Sequence, residues 1–132
     1  MLEKYPDNVR VVVKMFPLSS HKFSRQAATA ALAADKQGKF PEFHALLFKN
    51  FRSLNEEKLK EIATELNLDL IKFEADRKSP EIAALISRDL NNGRTADVRG
   101  TPTVFLNGKR VKNRGMQSLQ QMIEAEIRKA HQ

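Results

Sequence analysis

Between residues 23 and 90 the apolar side chains recur at helical spacing, whereas runs rich in β-branched residues lie only on either side, at 9–16 and 103–111. The two periodicities do not interchange, because a strand sends successive side chains to opposite faces while a helix stacks positions three and four apart. The chain therefore reads as strand, helices, hairpin and helix, in that order.

Residues 1–5 look like the last turn of a helix, Pro6-Asp7-Asn8 is a turn, and residues 9–16 read as a buried strand ended by Pro17 and the pair Ser19-Ser20. Phe23, Ala27, Ala30, Ala31 and Ala34 give the next helix a narrow face of small residues suited to close packing, and Gly38 can take the left-handed cap conformation at its end. Pro41 fits the first position of a second helix, with Phe43, Leu46, Leu47 and Phe51 on one face. Asn55 is the expected N-cap of a third, in which Leu59, Ile62, Ala63 and Leu66 keep the spacing i, i+3, i+4, i+7. Asp69 caps a short helix containing Leu70, Ile71 and Phe73. Ser79-Pro80-Glu81 starts another that carries Ile82, Leu85, Ile86 and Leu90, with Asn92-Gly93 as its stop. Asn107-Gly108 joins the strands of a hairpin, because this pair readily supplies the two positive φ angles of a type I′ turn. Gly115 precedes a final amphipathic helix whose Met116, Leu119, Met122, Ile123 and Ile127 are expected to face the sheet.

Composition limits the chemistry. The 132 residues suit one domain, and the longest apolar runs are too short to span a bilayer. No cysteine is present, which removes a disulfide framework, a cysteine zinc site and a thiol nucleophile, while leaving the compartment open. The formal charge of +7 favours anionic partners, and within residues 94–114 Arg94, Arg99, Lys109, Arg110, Lys112 and Arg114 face a single acid, Asp97. With Phe105 the one aromatic in that region, base stacking has little support, and a solvated hairpin edge is favoured over nucleic-acid binding. His21, His44 and His131 lack the spacing of a metal motif, so no metal is expected. Glu56 with Glu57 and Glu61 with Glu65 sit on helix faces beside Lys58 and Lys60, which suits solvation better than acid–base catalysis. Met15, Met116 and Met122 read as core fillers, and the isolated glycines form no phosphate loop.

Three stretches carry a resemblance. Tyr5-Pro-Asp-Asn-Val-Arg leading to Phe16-Pro-Leu and His21, then Gln37-Gly-Lys-Phe with Phe43-His44 and Leu47-Phe48, then Val98-Arg-Gly-Thr-Pro-Thr before Phe105-Leu-Asn-Gly together resemble the DsbA-like branch of the thioredoxin superfamily. One departure is Pro41, where that family commonly has an aromatic residue. The resemblance implies an α/β class, an incomplete thioredoxin-like fold with an inserted helical subdomain at about 22–93, within a single domain over 1–132. It also implies that the opening strand and the Cys-X-X-Cys helix start of such proteins have no counterpart here. No catalytic residue and no cofactor are then expected, because the thiolate is the chemical engine of that family. The resemblance further implies that Thr101-Pro102 is cis and that Arg99, Gly100, Thr101 and Pro102 bind an extended polypeptide substrate. The function this implies is a portion of a DsbA-like thiol–disulfide oxidoreductase that is redox-inactive by itself, with a redox-inactive peptide-binding module using the Pro102 loop, or a weak anion- or nucleic-acid-binding basic domain, as the alternatives. Without an opening strand between them, residues 9–16 and 103–106 would each expose unpaired backbone, and a homodimer is the expected remedy.

Overall fold

The computed structural model describes residues 3–19, 21 and 23–132. Met1 and Leu2, the start of the predicted N-terminal helix turn, and Ser20, of the predicted strand-ending pair, lie outside the described residues. The chain forms two compact units, one from Met15–Arg99 and one from Met1–Lys14 with Gly100–Gln132.

The first unit is helical: α1 (Ser24–Asp35), α2 (Phe40–Lys49), α3 (Glu56–Glu65), α4 (Leu70–Arg77) and α5 (Pro80–Thr95), with a 3₁₀ turn at Phe51–Ser53. Helix α1 packs against all four of the others. It can do so because Ala27, Ala28, Ala30, Ala31, Ala33 and Ala34 are buried around it, and small side chains let neighbouring backbones approach from several directions. Phe43, Leu59, Ile62, Phe73, Ile82 and Ile86 fill the space between helices, with the Phe43 and Phe73 rings 5.8 Å apart. Local chemistry sets the helix starts as expected. The backbone N–H of Lys58 donates to Asn55 Oδ1 at 2.7 Å, that of Lys72 to Asp69 Oδ1 at 3.1 Å, and that of Ile82 to Ser79 Oγ at 3.3 Å. Gly38 ends α1 with φ +73°.

Other expectations change. Gly93 does not stop α5, which continues to Thr95. A side chain at Gly93 would put its Cβ 2.7 Å from Phe16 Cε2, so this glycine makes room for an aromatic ring rather than for a turn. Phe51 leaves the α2 face for the 3₁₀ turn and is 63% exposed, and Ile71, on the outer side of α4, is 87% exposed. Asp89 is buried on α5, where it accepts the Met15 N–H at 2.9 Å and lies 3.3 Å from Arg88 Nη2.

The second unit holds the hairpin β1 (Phe105–Leu106) and β2 (Lys109–Arg110), paired antiparallel, and α6 (Met116–Ala130). Asn107 and Gly108 have φ +47° and +80°, as the type I′ turn requires, and the Val111 N–H extends the ladder to the Val104 carbonyl at 2.8 Å. Ile123 and Val111 are buried, whereas Met116, at the first turn of α6, is 64% exposed and does not join the predicted apolar face. Pro6, Asp7 and Asn8 form a turn closed by the Val9 N–H on the Tyr5 carbonyl.

The strand predicted over residues 9–16 does not form. The sheet among the described residues has two strands, β1 and β2, and neither pairs with this segment. Without a ladder a β-branched run has no reason to be buried, and Val11, Val12 and Val13 are 55%, 66% and 48% exposed.

Candidate functional site

The predicted peptide-binding residues straddle the division between the units, Arg99 ending one and Gly100, Thr101 and Pro102 opening the second stretch of the other. In the helical unit, the Val98 N–H caps α5 on the Gly93 carbonyl at 2.8 Å, and Asp97 takes the left-handed conformation at φ +59°. Arg99 Nε lies 3.0 Å from Asp97 Oδ1, with the two side chains 86% and 75% exposed. Such an open pair adds little to stability and leaves the guanidinium available to solvent.

In the hairpin unit, the Thr101-Pro102 bond is cis. Thr103 Oγ1 donates to the Gly100 carbonyl at 2.7 Å, and Arg114 Nη1 donates to the Pro102 carbonyl. The chain between Gly100 and Thr103 is thus pinned from both sides just before β1. Gly100 has open space where a Cβ would sit, and Thr101 is exposed with neither its N–H nor its carbonyl bonded to another described residue. Thr103 and Arg114 were not singled out as site residues by sequence reasoning. Thr103 carried the signal of a hydroxyl three residues after Gly100, whereas Arg114 lies twelve residues beyond Pro102 and only the fold relates them.

Elsewhere in the hairpin unit, α6 carries two hydrogen-bonded carboxylates. Tyr5 Oη donates to Glu124 at 2.7 Å, which pushes the phenol pKa up to about 12 and holds the Glu124 carboxyl below its usual range. Glu126 is likewise held low, first by the Asn107 amide at 3.3 Å and then by Lys129. Lys109 stands 4.0 Å from Glu126, and the Arg110 guanidinium lies 5.4 Å over the Phe105 ring. Of the basic run at residues 94–114, Arg94 and Arg99 belong to the helical unit and the remaining four cations to the hairpin unit.

Among the described residues no group of three histidine, aspartate or glutamate side chains could hold a metal ion. His44 lies between Phe40 and Phe48, at 5.1 and 4.9 Å between ring centroids, so it is a packing histidine of α2. No helix among the described residues is long and apolar enough to cross a membrane.

Comparison with known proteins gives this geometry a setting. The chain is 39% identical over 107 residues to the Na(+)/H(+) antiporter NhaA 3 of Salinispora tropica, covering 78% of this chain and 16% of that protein. It is 34% identical over 108 residues to the Na(+)/H(+) antiporter NhaA of Herminiimonas arsenicoxydans, covering 82% and 17%. The chain thus spans about a sixth of the length of these curated relatives. A solved structure, a thioredoxin-like oxidoreductase from Silicibacter pomeroyi, is similar with a TM-score of 0.80 and 31% identity over 97% of this chain and 73% of that one. The architecture is accordingly thioredoxin-like, mostly helical with a small two-stranded sheet. The family model described as Thioredoxin matches residues 1–125, and with that match and the structural likeness the chain belongs to the thioredoxin family.

Proposed function

We propose that these residues form the peptide-holding portion of a DsbA-like thiol–disulfide oxidoreductase, with the reacting thiols supplied from outside them. The observation that carries this reading is Thr101, exposed, four residues before β1 and with neither backbone group bonded to another described residue. An extended peptide laid alongside gains main-chain hydrogen bonds there, and Gly100 lets its backbone come close. Arg99, one residue earlier in the chain, carries a solvent-exposed guanidinium. Thiol–disulfide exchange begins with thiolate attack, and no cysteine is present to make one. The chain by itself is therefore a holder and not a reagent. Titration with an unfolded, alkylated peptide should move the amide resonances of Gly100, Thr101 and Thr103, and insulin reduction should stay at the no-protein blank. Peptide-induced shifts confined to other segments would overturn the assignment of the site, and turnover by the 132-residue chain would overturn the role.

The antiporter relatives favour a second reading, in which the peptide holder is an accessory to a membrane transporter. An antibody to the chain should then detect a larger polypeptide in the membrane fraction. A soluble band at the size of the 132-residue chain would remove that reading. Residues 10–13, exposed and with no backbone bond to another described residue, support a separate proposal, that two copies associate by pairing this segment.

A further inference from the structure

Within the helical unit, α1, α3 and α4 border a cleft of about 420 Å³ whose lining shares no residue with the segment proposed to hold peptide. One wall contains a buried charge. The Arg77 side chain is 9% exposed, and a guanidinium removed from water requires acceptors. Glu56 turns both oxygens to Nη2, at 2.9 and 2.8 Å, Glu74 accepts from Nη1 at 3.2 Å, and the guanidinium lies 5.6 Å over the Phe73 ring. Nε remains buried with no acceptor among the described residues.

This arrangement commits the two carboxylates of the cleft to Arg77. Arg25 and Lys78 also line it, both exposed, and neither has an ion-pair partner among the described residues. The lining cations outnumber the carboxylates by one, and the uncommitted charge is all positive. Gln26 adds a side-chain amide with no bond to another described residue, while the Thr29 hydroxyl is spent on the Arg25 carbonyl at 2.8 Å. The cleft thus presents a planar guanidinium fork, a point ammonium and an amide donor, a set that matches an oxyanion. Its volume falls within the range of about 300–1,000 Å³ typical of small-molecule sites, larger than a bare ion fills.

We propose that this cleft binds the phosphate or carboxylate group of a small organic anion, with Arg25 and Lys78 as its charge ligands and the Gln26 amide as a donor. The test is amide-resolved NMR titration of the 132-residue chain with inorganic phosphate and, separately, with succinate, at ionic strength held constant with sodium chloride. Saturable shifts at residues 25–29 and 77–78 are expected for at least one probe, and which probe saturates distinguishes phosphate from carboxylate. Arg25→Gln with Lys78→Gln should weaken that binding by about tenfold or more, as loss of two charge-assisted contacts implies. The charge-keeping Arg25→Lys should retain saturable binding, as should Lys109→Gln with Arg110→Gln on the hairpin. Non-saturating shifts with both probes, shifts concentrated on the hairpin, or unchanged binding in the Arg25→Gln, Lys78→Gln variant would overturn the proposal.

Discussion

The helical unit and the hairpin unit are built by the same chain on different terms. In the helical unit, Phe43, Leu59, Phe73, Ile82 and Ile86 are each 0% exposed, and every helix meets α1. In the hairpin unit, Val111 and Ile123 are buried at 4%, while Val11, Val12, Val13, Phe105 and Met116 stand between 41% and 66% exposed. The difference follows from where each element finds its hydrogen bonds. A helix satisfies its backbone within itself and needs neighbours only for its apolar stripe, whereas a strand needs a second segment for both. Helical patterning therefore completes a core in one unit, and in the other the β-branched run at 11–13 finds no ladder among the described residues.

The largest expected effect lies in the first core. Phe43→Ala removes a fully buried ring from between α2 and the Phe73 side chain, and should cost about 3–5 kcal/mol by denaturant unfolding followed by circular dichroism. A loss below about 1 kcal/mol would mean that the helical unit is not a packed core and would erase the contrast between the units.

Gly93→Ala asks a finer question of the same unit. On helix propensity alone the change should stabilise by up to about 1 kcal/mol. The new Cβ would meet Phe16 Cε2 at 2.7 Å and Cδ2 at 2.9 Å, so the ring must move, and overpacking of this kind costs about 1–3 kcal/mol. Net destabilisation is expected, and Phe16→Leu in the Gly93→Ala background should recover part of it. A more stable Gly93→Ala variant would show that Phe16 is held loosely.

Legibility in the sequence divided along the same line as stability. Asn55, Asp69 and Ser79 as caps, Gly38 as a helix end and Asn107-Gly108 as a turn were all readable, because each acts on backbone groups within a few residues of itself. Gly93 was misread because the same residue type serves turns and close approaches, and Phe16 lies far away in sequence. Asp89 on Met15 and Arg114 on Pro102 are long-range bonds with no local signature. Residues 9–16 carry genuine strand propensity, but propensity names a preference and cannot supply the partner on which a strand depends. At the candidate site, the resemblance singled out residues 99–102. That neither Thr101 backbone group bonds to another described residue follows from the hydrogen bonds around it, which no spacing encodes.

A smaller effect should appear on acidification. Burial between Phe40 and Phe48 pushes the His44 imidazolium pKa down from its ordinary value of 6.5. The folded chain then takes up this proton less readily than the unfolded chain. Its contribution is fully present above the unfolded pKa and is lost as pH falls through about 6.5 toward the lower folded value. Unfolding midpoints measured between pH 7 and 5.5 should fall less steeply for His44→Gln than for the parent chain. Parallel slopes would show that the ring remains solvated despite its aromatic neighbours.

The smallest expected effect is at Val12, and it addresses the incomplete ladder directly. Val12 is 66% exposed and its backbone groups bond to no described residue, so Val12→Ala should change monomer stability by no more than about 0.5 kcal/mol. A cost near 2 kcal/mol would mean that the residue is buried in solution, as a paired strand would bury it. The proposed association of two copies makes a separate demand on the same position. An antiparallel pair centred on Val12 sets Arg10 of one copy opposite Lys14 of the other at both ends, and like charges directly opposite oppose pairing. Screening shortens the reach of that repulsion as salt rises. Light scattering at high micromolar concentration should therefore show more dimer at 0.5 M than at 0.05 M sodium chloride, taken as roughly tenfold-spaced conditions on either side of physiological ionic strength. Val12→Ala should weaken the dimer by removing β-branched surface from its centre. A monomer at both salt concentrations would end the pairing proposal, while leaving the contrast between a self-sufficient helical core and an unpaired strand segment intact.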